Sequence, residues 1–402
     1  MRRLRVACLS GVISLIFGCS GGDSGVTPPA EFLSAMPNTS TFVLDDTPGQ
    51  VAPGQNSPII DEQTQELSNP ACHPHLFLRT YDAIAAINHY IIGKFFRRLD
   101  AVIDSHATSA TRSTVTWIKQ VDGGAAVLRI TLTKSSPGAY ALEVDAKAPP
   151  NASDSSYVTI LTASITNGDP TGSPHTGSGT LHVDLTKLGS VITTERARGT
   201  IDLTFNVKGN NKMIRVTLTG LTGDDTNPNQ PPTNANFVFA RTAGVGGSFK
   251  YVQQTVFPCP QNPSSLQANL KAVHRWKITA GVDGGHGVFN GRTDGQATGG
   301  QITAGQTWVG VTCTDQTAST PAAAERFWQI GVFSGAGDPA TNGGTLVEGE
   351  YDANAPGPSS CDSSLGTLPS GPPNYRSNYT FTTLNFNDAS VIPFPGMPTP
   401  FP

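Results

Sequence analysis

Residues 201–219 read IDLTFNVKGNNKMIRVTLT, and this stretch indicates the fold. Apolar side chains occupy alternate positions on both sides of the central Gly209-Asn210-Asn211. Successive side chains of a β-strand point to opposite faces, so such alternation is typical of a strand with one buried and one solvated face. Glycine and asparagine suit the backbone of a tight turn. The stretch therefore predicts a β-hairpin with one apolar face.

The same alternation begins at Val115 and recurs around residues 128–132, 142–144 and 181–185. Further strands are predicted near 157–166, 236–241, 248–257, 272–280, 306–314, 326–333 and 379–384. The similar phrases VDGG at 121–124 and VDGG at 282–285 both predict turns. About a dozen strands, mostly joined as hairpins, predict a mainly β protein built as a large antiparallel meander, which forms a barrel, half-barrel or sandwich.

Residues 76–103 have a different period and predict one long α-helix. Apolar residues recur there at three- or four-residue spacing, at Phe77, Tyr81, Ile84, Ile87, Ile91, Phe95, Leu99 and Val102. This spacing gives one broad apolar stripe, which favours a helix packed on the apolar face of the sheet. The alternative is an amphipathic helix that inserts into a membrane or covers a ligand.

The beginning of the chain has the parts of an export signal. Arg2, Arg3 and Arg5 precede a short apolar run over residues 6–17, which is too short for a membrane-spanning helix. Residues 16–19, IFGC, then resemble the lipobox of bacterial lipoproteins, although Phe17 is bulkier than usual. The resemblance implies cleavage after Gly18, a lipid (palmitate) on Cys19, and anchoring to a membrane through that lipid. An ordinary secretory signal with an incidental cysteine is the alternative.

Composition divides the rest of the chain. Residues 1–18 are predicted to be the signal peptide, and 19–67, rich in Gly, Ser and Pro, a flexible tether that clears the body from the lipid surface. Residues 68–334 are predicted to form the helix-plus-β domain, and 335–402 a Gly/Pro-rich segment pinned by a disulfide. The residue after Cys19 is Ser20 and not Asp. By the usual sorting rule for bacterial lipoproteins, this implies the outer membrane of a Gram-negative bacterium.

Six cysteines occur in the sequence. Cys8 lies in the predicted leader and Cys19 is assigned to lipid, which leaves Cys72, Cys259, Cys313 and Cys361. An even number of cysteines in an oxidising compartment favours two disulfides, and the three possible pairings stay open. A zinc site is the rival, but these cysteines lack the close spacing of structural zinc sites. We predict no metal and no cofactor.

Charge and motifs exclude several classes of function. The formal net charge is −4, and loss of the leader arginines makes the body more acidic, which argues against nucleic-acid binding. The sequence contains no serine-hydrolase elbow, phosphate loop, dinucleotide fingerprint or HExxH motif. Histidine pairs and acidic residues fit ordinary turns and strand faces better than sites: His73 and His75, Asp283 and His286, His182 and Asp184, and Asp224 and Asp225.

Four tryptophans lie in predicted strands, and we interpret them as core rather than as an exposed sugar platform: Trp117, Trp276, Trp308 and Trp328. The layout as a whole resembles uncharacterised predicted lipoproteins of Gram-negative bacteria. The parts that carry this resemblance are the lipobox, the 76–103 helix, residues 179–185, GTLHVDL, and residues 199–203, GTIDL. It implies an envelope lipoprotein with a binding or structural role. The alternatives are a carrier of an apolar acyl ligand between helix and sheet, and a secreted hydrolase of polysaccharide or peptide; a glycan is also a possible ligand.

Overall fold

The computed structural model describes residues 25–44, 84, 87–88, 99, 102–103, 105–166, 176–193, 195–222, 233–256, 267–279, 288–299, 306–317, 320–334 and 345–351. These residues form two compact units. The first contains the described residues up to Val43 and those between Ala85 and Ala235, and the second contains Leu44, Ile84 and those from Asn236 onward. The range 68–334, predicted as one domain, is therefore divided between the units.

The first unit is an antiparallel sheet in which neighbours in sequence are neighbours in the sheet. Its strands are β1 (Ser109–Ala110), β2 (Thr114–Val121), β3 (Ala126–Ser136), β4 (Ala139–Lys147), β5 (Val158–Thr166), β6 (Gly177–Asp184), β7 (Arg198–Lys208) and β8 (Asn211–Thr222). The predicted antiparallel meander is confirmed for this unit.

A single row of cross-strand partners shows how the alternation builds the core. One apolar residue from each of seven strands lies in register with the next, from Trp117 through Ile130, Val144, Leu161, Val183 and Ile201 to Leu218. Every member of the row is buried. Burying a large aliphatic side chain contributes roughly 1.5–3 kcal/mol, so this inner face is the main source of stability in the unit.

Two turns that join these strands match their predictions. Asp122–Gly124 forms a turn of 3-10 helix between β2 and β3, with Gly123 at φ 64°. Gly209, at φ 57°, lies between the end of β7 and the start of β8. A positive φ strains residues with a Cβ atom, so glycine suits both positions.

Residues 25–44 do not behave as the predicted tether. They contain two short helices, α1 (Ala30–Ala35) and α2 (Thr39–Phe42), whose Phe32 and Phe42 are fully buried. The Phe32 ring packs edge-on against Tyr140 of β4, with centroids 5.6 Å apart, and Phe42 packs against Phe205 of β7 at 5.2 Å. This stretch, which we call the N-terminal strap, therefore crosses the sheet and covers part of its apolar face. In the sequence, this packing is indicated by a few isolated apolar residues within an otherwise polar stretch.

The strap is also held by polar contacts. Lys134 Nζ lies 2.6 Å from Glu31 Oε2, and this ion pair raises the pKa of the lysine. Lys212, which is buried, donates from Nζ to the carbonyls of Ser40 at 2.9 Å and Val43 at 3.0 Å. These bonds satisfy carbonyls that would otherwise be left unpaired after α2.

A short helix, α3 (Leu185–Val191), begins at Leu185, which was predicted to be the last residue of a strand. The Asp184 carboxylate accepts a hydrogen bond from the Lys187 backbone N–H, which caps the helix. Leu185 and Leu188 are buried where α3 packs against β5 and β7. The strand pattern ends at Asp184 because this cap starts a helix.

The second unit is also antiparallel and sequential, from β10 to β15. The strands are β9 (Thr233–Thr242), which begins in the first unit, β10 (Gly246–Val256), β11 (Gln267–Thr279), β12 (Val288–Gly299), β13 (Gln306–Thr317), β14 (Thr320–Ser334) and β15 (Thr345–Tyr351). β15 lies in the segment predicted to be Gly/Pro-rich and loop-like, and β12 was not predicted.

Aromatic side chains fill the described core of the second unit. Phe239 stacks on Trp276 with centroids 5.8 Å apart, and Phe237 stacks on Phe249 at 5.9 Å. Gly247 is required here, because a Cβ atom at this position would lie 2.3 Å from the Trp276 ring. The absence of a side chain at Gly247 lets β10 approach the indole closely.

Two predicted features of the architecture are not found in the described residues. No pairing among them joins the first strand of either unit to its last, so these ladders do not close into a barrel, which was one of the three predicted forms of the meander. The long helix is not shown, because only six residues of the range 76–103 are described. Within the described part of the chain, no helix has the length and apolar character needed to cross a membrane.

Candidate functional site

The predicted site residues lie mostly outside the described residues. This holds for Cys19, Cys72, Cys259 and Cys361, and for His73, His75, Asp224, Asp225, Asp283 and His286. Cys313 lies on β13, opposite Arg292 of β12 and Phe327 of β14. Lipidation and disulfide pairing therefore stay predictions.

The tryptophan prediction is tested at two positions. Trp117 and Trp276 are both fully buried, which confirms them as core residues. The indole N–H of Trp117 donates to the Ser105 carbonyl at 3.1 Å, whereas Trp276 Nε1 is buried without a hydrogen-bond partner. Trp308 and Trp328 lie in strands β13 and β14, as predicted.

The strongest candidate surface is the solvent side of the first sheet. One residue beyond the apolar row, a second row crosses six strands in register, and its members are polar: Thr131, Glu143, Thr162, His182, Asp202 and Thr217. We call this the polar row. Its side chains are exposed or half-buried, because the alternation that buries one face turns the other to water. Neighbouring strands lie about 4.8 Å apart, so the row presents polar groups at regular intervals.

His182 and Asp202 form the central contact of the polar row. His182 Nδ1 lies 2.6 Å from Asp202 Oδ1, and the two side chains are 45% and 52% exposed. Cross-strand register creates this pair, since the residues are partners in β6 and β7. The sequence instead drew attention to Asp184, two residues along the same strand, which the structure uses as the cap of α3. Half-exposed groups of this kind can bind a hydrated partner, but water competes for them.

A second polar cluster lies beside the row and is more buried. Arg129 donates from Nε at 3.0 Å and Nη2 at 2.7 Å to the same oxygen of Asp145, which is 2% exposed. Thr159 donates its hydroxyl to the other oxygen at 2.7 Å. Hydrogen bonding to Asp145 raises the pKa of the guanidinium. Both carboxylate oxygens are thus engaged, which satisfies a charge that would be costly to bury alone.

An aromatic ring links this cluster to a neighbouring lysine. The Arg129 guanidinium carbon lies 4.1 Å from the Tyr157 ring centroid, and Lys147 Nζ lies 4.6 Å from it. Lys147 also donates to the Ala152 carbonyl and to Asp154, each at 2.9 Å. That hydrogen bond lowers the pKa of the exposed Asp154. The ring therefore contacts two cations, each of which is also bound to a carboxylate.

Glu143 connects the cluster to the polar row. Burial raises the pKa of this carboxyl group, and the nearby Asp145 raises it further through its charge and a hydrogen bond. Two neighbouring carboxyl groups can serve acid–base catalysis when both are free to exchange protons with a substrate. Here, however, Asp145 is occupied by Arg129 and Thr159, which is the arrangement of a structural ion pair.

The described core of the second unit contains one buried histidine. His274 Nδ1 lies 2.9 Å from Thr293 Oγ1, and the imidazole stacks on Trp276 with centroids 5.5 Å apart. Burial, with a smaller contribution from Arg275, lowers the pKa of His274 to about 3. A neutral, stacked imidazole is a satisfied core residue, and across the described strands and loops no three potential metal-binding side chains come together.

Comparison with known proteins gives no family for this chain. No family model matches it, no curated protein is similar to it, and no solved structure matches its fold.

Proposed function

We propose that this chain is a lipid-anchored, non-enzymatic binding protein of a bacterial cell envelope, with the polar row as its binding surface. The observation that carries the proposal is the contrast between the two faces of the first sheet. The inner face is filled with apolar side chains and covered in part by the N-terminal strap, while the outer face presents a regular polar row. The lipobox at residues 16–19 supplies the anchor.

The chemistry of the polar row favours a polyhydroxylated polymer such as an envelope polysaccharide. Hydroxyl, imidazole and carboxylate groups can all exchange hydrogen bonds with sugar hydroxyls, and a row of them suits an extended chain. Water bridges such contacts with little loss of enthalpy, so a half-exposed surface can still bind specifically. The row also carries acidic groups at Glu143 and Asp202, which disfavour an anionic partner.

The acyl-carrier alternative is less well supported in the first unit. A carrier needs an open apolar groove, and the inner face here places Phe42 against Phe205 and Phe32 against Tyr140. The hydrolase alternative needs groups that are free to react and shielded from water. His182 and Asp202 are about half exposed, and Asp145 is fully engaged in hydrogen bonds.

The long helix at 76–103 remains part of this proposal. Four members of its predicted apolar stripe are described, and each of them is buried: Ile84, Ile87, Leu99 and Val102. Burial of the stripe favours a helix that belongs to the body of the protein over one that inserts into the membrane.

A triple substitution in the polar row tests the binding role. Thr162→Ala, His182→Ala and Asp202→Ala together remove three adjacent polar side chains from an exposed face, so the fold should be retained. We expect severalfold weaker co-sedimentation with purified envelope polysaccharide and an almost unchanged melting temperature. The matched control is Ser153→Ala, Ser155→Ala and Ser156→Ala in an exposed loop of the same unit. Equal binding by both triple variants would rule out the polar row.

A further inference from the structure

Val26 is fixed to the first unit by pairing with Ala107, and it lies seven residues after the lipobox cysteine. Val26 N–H donates to the Ala107 carbonyl at 2.8 Å, and Ala107 N–H donates back to the Val26 carbonyl at 2.9 Å. Gly25 lies so close to this segment that a Cβ atom there would be 2.6 Å from His106 Cβ. The strap then continues into the core through Phe32 and Phe42.

The covalent chain limits how far the first unit can lie from an anchored Cys19. Only residues 20–24 separate Cys19 from Gly25. A fully extended chain spans at most about 3.3–3.6 Å per residue, so the six steps from Cys19 to Gly25 reach about 20 Å. The tether predicted from composition continued to residue 67 and would have allowed a far greater distance.

The surface at this point has the composition of a lipid-facing patch. Val26 is 49% exposed and Ile118 is 45% exposed, so two of the exposed large aliphatic side chains of the described residues lie in this region. Ile118 is placed nearby, because its N–H donates to Thr108 Oγ1 at 2.9 Å, one residue beyond Ala107. The range 105–121 carries the basic or titratable residues His106, Arg112 and Lys119, and the acidic residues Asp104 and Asp122 lie just outside it. Exposed aliphatic side chains with basic residues in the same segment suit the boundary between acyl chains and anionic headgroups.

We propose that this corner of the first unit, formed by Gly25, Val26 and residues 105–119 and called the anchor corner, rests against the lipid surface that holds Cys19. The proposal depends on the lipidation of Cys19 proposed above. The predicted long tether would leave the folded body free to move away from the membrane. In this proposal the body is instead held at one corner, where Val26 and Ile118 contact the membrane. The acyl chains supply most of the membrane affinity, and the corner fixes which part of the unit faces the bilayer.

Fluorescence quenching on vesicles tests the orientation. The full lipidated chain carries a fluorescent amino acid at position 118 or at position 204, and is reconstituted into phosphatidylethanolamine–phosphatidylglycerol vesicles with a nitroxide on the headgroup. Thr204, on β7 of the same unit, is the matched control because it is also exposed and lies five strands away from β2 in the sheet. We expect severalfold stronger quenching at position 118 than at position 204. Equal quenching at the two positions overturns the anchor corner.

A spacer variant isolates the contribution of the short connection. A Gly/Ser spacer of about 40 residues between Gly21 and Gly22 lengthens the connection between Cys19 and Gly25, since such linkers behave as flexible coils. Quenching at position 118 should fall toward the level at position 204. Quenching that persists with the spacer but is lost when Val26→Asp is added also supports the corner, through its own affinity for lipid. Quenching that survives both changes overturns it.

Mass spectrometry of the same samples separates the two proposals. A chain that carries acyl groups on Cys19 but shows equal quenching at both positions contradicts the anchor corner alone. A chain without acyl groups on Cys19 contradicts the lipid anchor, and the anchor corner with it.

Discussion

Asp145 shows what strand patterning misses at the scale of a residue. Its position in the alternation of β4 predicts a solvated side chain, yet it is 2% exposed. The partners of Val144 and Asp145 are Leu161 and Thr159, so Ile160 is an extra residue in β5. Such a bulge re-aims nearby side chains. The cluster with Arg129 and Thr159 depends on this irregularity, which has no signature in the alternation of either strand.

His182 shows the same limit for the candidate site. The prediction that its side chain lies on the solvent face is confirmed by its exposure of 45%, whereas Asp184, predicted on the same face, is 17% exposed. Its actual partner, Asp202, is twenty residues away and meets it only through the register of β6 and β7. If β6 and β7 were joined by a short hairpin turn, the turn would fix their register and suggest the pair. The two strands are instead joined by the long connection 185–197, which contains α3.

His274 predicts a specific dependence of stability on pH. Its folded-state pKa of about 3 lies below the ordinary value of 6.5, so the unfolded chain binds a proton that the native chain does not. The contribution of neutral His274 to the free energy of unfolding is therefore complete above pH 6.5 and is lost as the pH falls toward 3. The free energy of unfolding falls by at most about 1.4 kcal/mol per pH unit in this range.

The His274→Gln variant provides the measurement. Glutamine can still hydrogen-bond Thr293 but does not titrate, so the free energy of unfolding should fall less steeply between pH 6.5 and pH 4 than in the unsubstituted chain. Denaturant titrations at a series of pH values give both slopes. The matched control is His106→Gln, which makes the same substitution at an exposed histidine in the first unit, away from His274. Parallel slopes for all three proteins would show that His274 is not the group responsible.

At the scale of the element, strands with clean alternation were predicted well and other elements were not. β7 and β8 follow directly from the hairpin pattern, including the turn at Gly209. β12 was missed because three of its positions that face inward hold small residues, Gly291, Thr293 and Gly295, which give no hydrophobic signal. α1 and α2 were missed because they are too short for a helical period to be visible.

The N-terminal strap is the element whose removal should matter most among these short segments. Phe42→Ala deletes a fully buried ring that packs on Phe205, and phenylalanine-to-alanine changes in cores cost about 3–5 kcal/mol. We expect a loss of unfolding free energy in that range by denaturant titration. Ser34→Ala, on the same strap, removes only a surface hydroxyl that bonds the Glu31 carbonyl and should change stability little.

A strap that behaves as a tether would give a different result. Phe42→Ala would then be as stable as Ser34→Ala, and protease would cleave between residues 25 and 44 while leaving the first sheet intact. The anchor corner would lose its support as well, because its position depends on the packing of this segment.

At the scale of the whole molecule, the class of fold was predictable and the organisation was not. A repeated period of two indicated a mainly antiparallel β protein, which both units confirm. The division between Ala235 and Asn236 falls inside β9, shortly after the polar, Pro-rich stretch 223–232, whose linker-like composition the domain prediction did not use. The strap has the composition of a linker. It still packs on the body, because a few well-spaced apolar residues are enough to bury it.

The lipid proposed on Cys19 holds the body at the membrane, and the orientation of the first unit depends on it. Intact mass spectrometry of the chain purified from bacterial membranes measures this lipid, with Cys19→Ser as the matched variant. We expect a mature chain that begins at Cys19 with acyl chains attached, and a Cys19→Ser chain that is not acylated and leaves the membrane fraction. A chain that retains residues 1–18, or that begins after residue 19 without acyl groups, would show that Cys19 is not a lipid anchor.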